Sequence, residues 1–372
     1  MNSTTSAIII GGGIIGCAIA SELLRAGVRC TLIDKGALLQ EASTAAAGML
    51  GAQVEIHHPG HFYELCRWSQ QLYREWTEQL QRISGGVSPQ YINEGILRTA
   101  WDEDDERELR SRLGWIQDAE WLEADGLRAL EPAMAAGIRG GFHFPNDHQV
   151  HPVHLAKTLQ AALYKQGCTI REWTPAFGLI ERGGRIAGVR TSEGELLADH
   201  VIVSAGAWSP ALTAPWGIEL PMFPVKGQCI SVRTDAPVTR KTVFTKGCYI
   251  IPKQDGTYLI GATQEEAGFD KRCHVSAVSA LHAKAAKLLP QLAQAEFVGT
   301  WAGLRPGTRD GLPFLGAPSK APGLIVATGQ FRNGILLAPA TAKLVMQLVT
   351  GSTTELDLTP FHPDRVLAAA VD

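Results

Sequence analysis

The turn Gly11-Gly12-Gly13-Ile14-Ile15-Gly16 constrains this chain more than any other segment, because of what flanks it. It follows the apolar run Ala7-Ile8-Ile9-Ile10 and opens the stretch Ile14 to Ala26, where small and apolar residues recur at helical spacing before Gly27. A second apolar run, Val28 to Ile33, ends in Asp34, 18 residues beyond Gly16. Strand, tight turn, helix and strand make a βαβ unit, whose parallel strands need the crossover helix between them. In such a unit Gly11 permits the turn, Gly13 lets backbone approach a pyrophosphate, and Gly16 lets the helix pack on the strand. The helix start at Ile14 and Ile15 supplies N–H donors and the positive end of a dipole to phosphates. Asp34, followed by Lys35, is placed to accept ribose hydroxyls. NAD and FAD domains share this motif, so it predicts a dinucleotide without choosing between them.

The remaining chain reads as α/β with a second unit. Gly60 to about Ile83 is helical, with Phe62, Leu65, Trp68, Leu72, Trp76 and Leu80 on one face. The charged run Asp102 to Arg112 reads as a solvated helix face. Short strands from Glu172 through Arg190 form a hairpin around Gly183-Gly184, and Val201 to Ser204 is a buried strand running into Gly206. Alternation at Gln228 to Val232, Cys248 to Pro252 and Tyr258 to Ile260 predicts an antiparallel sheet walling a pocket. A helix from about Ser276 to Leu289, a strand Leu324 to Ala327 and a helix Gly334 to Val349 follow.

Composition narrows the function. With 372 residues, 45% of them hydrophobic, the chain can bury one large core or two joined ones. A net charge of -3 offers no broad basic field for nucleic acid or an anionic membrane. Seven scattered cysteines without a C-x-x-C fit neither a disulfide framework nor a zinc site, and read as reduced thiols of a cytoplasmic protein. Met1 to Ser6 lacks the basic region of a signal peptide, and no stretch approaches the roughly 18 apolar residues of a membrane helix. His148, His151 and His154, and His57, His58 and His61, cluster in sequence. Pro152 interrupts the helical face a metal site would need there, so surface or hydrogen-bonded histidines are expected and no metal.

Three further stretches carry a resemblance: Ser43-Thr44-Ala45-Ala46-Ala47-Gly48-Met49, Trp301 through Gly311, and Phe331 through Pro339. With the glycine turn they resemble, in order and spacing over nearly the whole chain, the glycine oxidases of the thiamine-biosynthesis type, within the D-amino acid oxidase-like flavoproteins. The resemblance implies non-covalent FAD. Ala42, Ser43, Ala46, Ala47, Gly48 and Met49 would run beside the flavin, and Gly206 and Ala176 would contact the cofactor, Ala176 on the adenine side. Gln330, Phe331, Arg332, Asn333, Gly334, Ile335 and Leu336 would cap the flavin's pyrimidine end.

The same resemblance makes Arg305 the partner of a substrate carboxylate, which suits a guanidinium fork. It makes Arg332 a second contact and Tyr249 a hydroxyl lining the pocket, with Met49 and Gln264 beside the substrate. Where those oxidases carry a histidine and a methionine, this chain has Gly247 and Gln264, which leaves room for sarcosine, D-alanine or a larger D-amino acid. The implied reaction is oxidative deamination of glycine or a small relative by hydride transfer to flavin N5, giving an imine, then keto acid and ammonia, with oxygen reduced to hydrogen peroxide. No side-chain base is assigned.

The alternative is a D-amino acid dehydrogenase passing electrons to a quinone or protein acceptor. A covalent sarcosine oxidase is disfavoured because no cysteine lies between Ala302 and Asp372. A non-catalytic flavin module would not need Arg305, Arg332 and Tyr249. By analogy with the family, residues 1–83, 142–219 and 301–372 form a discontinuous Rossmann-like FAD domain, and 84–141 and 220–300 an antiparallel-sheet substrate domain. A homo-oligomer and hand-off of product to a thiazole synthase are also implied.

Overall fold

A computed structural model describes residues 5–368. Its first sheet has six strands in the order Phe314–Gly316, Leu324–Thr328, His200–Val203, Ser6–Ile10, Arg29–Ile33, Thr169–Arg171. All neighbours are parallel except the edge strand Phe314–Gly316. Alternation along the central strand assigns its two faces. Ala7 and Ile9 enter a core shared with helices Ile14–Arg25, His61–Ile83, Pro152–Lys165 and Gly334–Thr350, while Ile8 and Ile10 pack with Leu179, Ile186 and Val189 of a three-stranded sheet. That small sheet contains the expected hairpin, Ala176–Arg182 with Arg185–Thr191, and adds Gly194–Leu197.

The second sheet has eight strands: Glu296–Thr308, Met222–Arg233, Thr257–Gly261, Cys248–Pro252, Thr242–Thr245, Ile96–Ala100, Gly140–Phe144 and Glu120–Glu123. Pairing is antiparallel except between Thr242–Thr245 and Ile96–Ala100. Helix Val275–Leu288 covers one face through Ile230, Ile250 and Ile260. The opposite face carries Cys229, Tyr249, Ile251 and Leu259, and packs against Ala47 and Met49. The α/β class with two principal sheets is as expected.

Two local expectations differ. Pro152 opens the helix Pro152–Lys165 rather than breaking one, since a first-turn proline lacks only an N–H that has no helical partner. His151 precedes that helix, and His154 within it meets the Gln90 amide at 3.2 Å. Among the described residues no three His, Cys, Asp or Glu side chains are grouped to hold a metal. In the charged run, Arg112 is buried, its guanidinium held by Glu108 and the Ile56 carbonyl. All seven cysteines are free. Among the described residues no helix is long and apolar enough to cross a membrane.

Candidate active site and cofactor cleft

One cleft runs from the glycine turn to the Tyr249 face of the eight-stranded sheet. At one end, helix Ile14–Arg25 starts on Gly13 and carries no acidic residue in its first turn, so its positive end is not neutralised. A Cβ on Gly11 would fall 2.5 Å from the Ser204 carbonyl oxygen, and one on Gly16 would fall 1.9 Å from the Gly11 carbonyl oxygen. Gly11 and Gly13 line the cleft; Gly16 does not, and serves the helix-to-strand approach. Asp34 accepts the Gly12 and Gly36 N–H groups at 2.7 and 2.8 Å. Burial pushes its carboxyl upward, while those two donors hold it down. Lys35 lies 3.5 Å from the Trp208 ring centroid, and both line the cleft. These features fit FAD: a neutral, backbone-rich helix start for a pyrophosphate and a carboxylate at the end of the second strand for a ribose.

The segment 42–49 forms the middle of the wall. Ser43 Oγ accepts the Ile14 N–H at 2.9 Å, tying this loop to the phosphate-binding turn. Gly48, at φ +84°, lies so near Val150 that a Cβ would sit 2.1 Å from its carbonyl oxygen. Lys253 is buried beneath the loop and donates to Ala47 O, Gln149 Oε1 and Val150 O, each at 2.9 Å. The contacts use all three N–H groups of an ammonium, although burial pulls its pKa down to about 7.

At the other end the sheet supplies a floor whose flatness is set by glycines. On paired strands, Gly227 faces Gly303 and Val225 faces Arg305. The Arg305 guanidinium lies across Gly227, where a Cβ would come within 2.2 Å of it, and donates to the Thr263 carbonyl at 3.2 Å. The Tyr249 phenol lies across Gly261 in the same way, with Cys229 Sγ at 3.6 Å. Gly303 admits the Ala45 side chain, and Trp301 Nε1 donates to Ala45 O at 3.0 Å. Glycine inside a strand marks such a close approach. Burial raises the Tyr249 pKa well above the ordinary phenol value, opposed by Arg305 and Arg332. The hydroxyl therefore stays protonated and able to donate.

Arg332, in the turn Phe331–Asn333, forms an ion pair with Glu55, and both line the cleft. The side chains retain 25% and 10% of their exposure, so this is not a surface pair. Glu55 raises the Arg332 pKa further.

Most residues singled out in the sequence meet here: Ile14, Ile15, Ala42, Ala46, Ala47, Met49, Ala176, Gly206, Gln330, Phe331, Gly334 and Ile335 line the cleft with those above. Asn333 and Leu336 do not, and Leu336 is core. Gln264 is exposed and outside the lining, and Gly247 is exposed in the turn between Thr242–Thr245 and Cys248–Pro252. Neither lines the cleft as expected: Gly247 lies in a turn, and Gln264 lies between Thr263 and Glu265, which stay bonded to strand Met222–Arg233, with its own side chain exposed. Sequence reasoning missed Glu55, Trp208, Thr174 and the three floor glycines. Only the glycines carried a local signal, as interruptions of alternating strands.

A family model described as FAD dependent oxidoreductase matches residues 6–348. The chain belongs to this family. FAD is its cofactor, and the glycine turn, Asp34 and the 42–49 loop are the elements that fit it. The chain is 38% identical over 364 residues to glycine oxidase of Geobacillus kaustophilus (strain HTA426), spanning 96% of each protein. It is 35% identical over 367 residues to a bifunctional ThiO/ThiG protein of Nostoc sp., of which it spans 55%. The crystal structure of glycine oxidase from Geobacillus kaustophilus superposes with a TM-score of 0.93 at 37% identity, covering 97% of this chain and 99% of that one.

Proposed function

We propose that this member of the family oxidises the amine of glycine or another small amine or D-amino acid, such as sarcosine or D-alanine. The observation that carries the proposal is Arg305, held flat on a glycine floor beside a protonated Tyr249 and facing the cofactor cleft. A planar guanidinium in that position takes a carboxylate and fixes the adjacent α-carbon. Tyr249 donates a hydrogen bond to the same ligand, and the apolar wall formed with Met49 and Ala47 excludes water. FAD, held non-covalently, would accept the hydride that leaves the α-carbon, while the amine nitrogen gives up a proton as the imine forms. The substrate enters with its amine neutral, so no side-chain base is assigned. The imine released is hydrolysed to a keto acid and ammonia, and with oxygen as final acceptor the second product is hydrogen peroxide.

Near-full-length similarity to glycine oxidases supports glycine over larger amino acids. The match to one half of a bifunctional ThiO/ThiG protein supports a role in thiamine biosynthesis, with product passed to a thiazole synthase. In this reading residues 1–83, 142–219 and 301–372 hold FAD and residues 84–141 and 220–300 shape the substrate pocket, with strands Gly140–Phe144 and Glu296–Thr308 crossing the divisions. A cytoplasmic homo-oligomer is part of the same proposal.

The test is oxygen uptake by the flavin-loaded protein with glycine, sarcosine and D-alanine, alongside an anaerobic assay with a quinone acceptor. Rapid uptake with glycine and stoichiometric peroxide are expected. Turnover only with a quinone and larger D-amino acids would replace the oxidase with a dehydrogenase.

A further inference from the structure

The cleft holds two guanidinium groups near Tyr249, and each opposes the upward shift of that phenol. Their surroundings differ. Arg305 has a carbonyl partner, Thr263 O, and no carboxylate bonded to it among the described contacts. Arg332 meets Glu55 through two nitrogens: Nε donates to Oε2 at 3.3 Å, and Nη2 donates to Oε1. Its planar fork is thereby occupied as a substrate carboxylate would occupy it.

Glu55 is not a mobile surface acid that happens to reach across. The two residues before it are pinned: the Gln53 and Val54 N–H groups both donate to buried Asp147, at 3.2 and 3.1 Å. The Gln53 side-chain oxygen accepts from Tyr63 OH at 2.8 Å and from the Gln117 N–H at 3.0 Å. Arg332 in turn sits just before the 17-residue helix Gly334–Thr350, at the end where a helix dipole disfavours a cation. Glu55 offsets both that field and the charge.

We propose that Glu55 is a specificity-determining residue, which neutralises Arg332 and leaves Arg305 as the single carboxylate anchor of the site. It rests on the reading of Arg305 as that anchor. With the pair intact the two arginines and one carboxylate sum to one positive charge, which matches an amino acid bearing one carboxylate and a neutral amine. A ligand with two carboxylates meets Glu55 where its second group would bind. Freeing Arg332 creates a doubly cationic pocket suited to dicarboxylates.

The experiment titrates the flavin spectrum of the holoenzyme with acetate and with malonate, in the native protein, Glu55→Gln, and Glu55→Gln combined with Arg332→Gln. The native protein should bind acetate more tightly than malonate. In Glu55→Gln the preference should shift toward malonate by at least about tenfold, the loss or gain of roughly one charge-assisted contact. The double variant should lose that shift while keeping acetate affinity within about threefold. A Glu55→Gln preference within twofold of native overturns the proposal. So does a tenfold loss of acetate binding in the double variant, which would make Arg332 a carboxylate contact; this arm stands even if the single variant fails to fold. Because neither anion is oxidised, the result is separable from the proposed reaction: failure of glycine turnover with the malonate shift intact would sink the reaction and leave the role of Glu55.

Discussion

Arg305 and Gly227 work as one unit although 78 positions separate them in the chain. Gly227→Ala would force the guanidinium from its seat, since the added Cβ would fall 2.2 Å from it. We expect this variant to retain FAD but to lose glycine turnover toward the level of Arg305→Met, a fall in kcat/KM of about 10- to 150-fold for one lost charge-assisted bond. Steady-state kinetics on flavin-loaded protein would decide it, and unchanged kcat/KM would show that the anchor tolerates displacement. Asp147 makes a second residue-scale prediction. Burial lifts its carboxyl to about 6, against an ordinary 3.8. Its folded-state pKa is raised, so its stabilising contribution is complete below about pH 3.8 and is lost as pH rises through 6. The stability of Asp147→Asn relative to the native protein should therefore climb by as much as about 3 kcal/mol between pH 4 and pH 7. A flat difference in urea midpoints over that range would refute it. At this scale the sequence singled out cleft residues within recognisable stretches, such as Arg305, Tyr249 and Asp34. It could not reveal Glu55, whose importance comes from a partner 277 positions away.

Among the elements, the βαβ unit, the hairpin and the strands around 228, 250 and 259 were legible because alternation and turn glycines are local signals. The strands Ile96–Ala100, Glu120–Glu123 and Gly140–Phe144 were not, being short and completed only by pairing with distant partners such as Thr242–Thr245. Helix Gly334–Thr350 shows how one element depends on another. Pro339 interrupts its hydrogen-bond ladder, and Ser69 of helix His61–Ile83 enters there, donating to Leu336 O at 2.6 Å and accepting from the Ala340 N–H at 3.4 Å. Ser69 is fully buried, so Ser69→Ala should destabilise the protein by about 1–3 kcal/mol through the polar groups left without a partner. A thermal midpoint equal to that of the native protein would show that the helix closes its own gap.

For the whole molecule, the cleft draws its lining from segments spread between Ile10 and Ile335, so the cofactor bridges parts of the chain that fold together only in three dimensions. Binding then adds to folding free energy: at 100-fold excess over its dissociation constant FAD should contribute about 2.7 kcal/mol, and stripping it should lower the melting temperature reversibly. An apoprotein melting at the holoprotein's temperature would mean that FAD does not bind the folded chain in preference to the unfolded one. The strand Glu296–Thr308 has a related consequence. It carries Trp301 and Gly303 against the 42–49 loop and Arg305, the proposed carboxylate anchor, on the same face, paired in unbroken register with Met222–Ser231 from Thr308 to Gly299. In the proposed reading, cofactor and substrate are measured off along this one strand, two residues or roughly 7 Å apart. A one-residue insertion between Gly303 and Arg305 would put the residues on one side of it on the wrong face relative to the other side. Redesign for a bulkier amine therefore has freedom only across the strands, at positions such as Tyr249 and Met49, and none along this one.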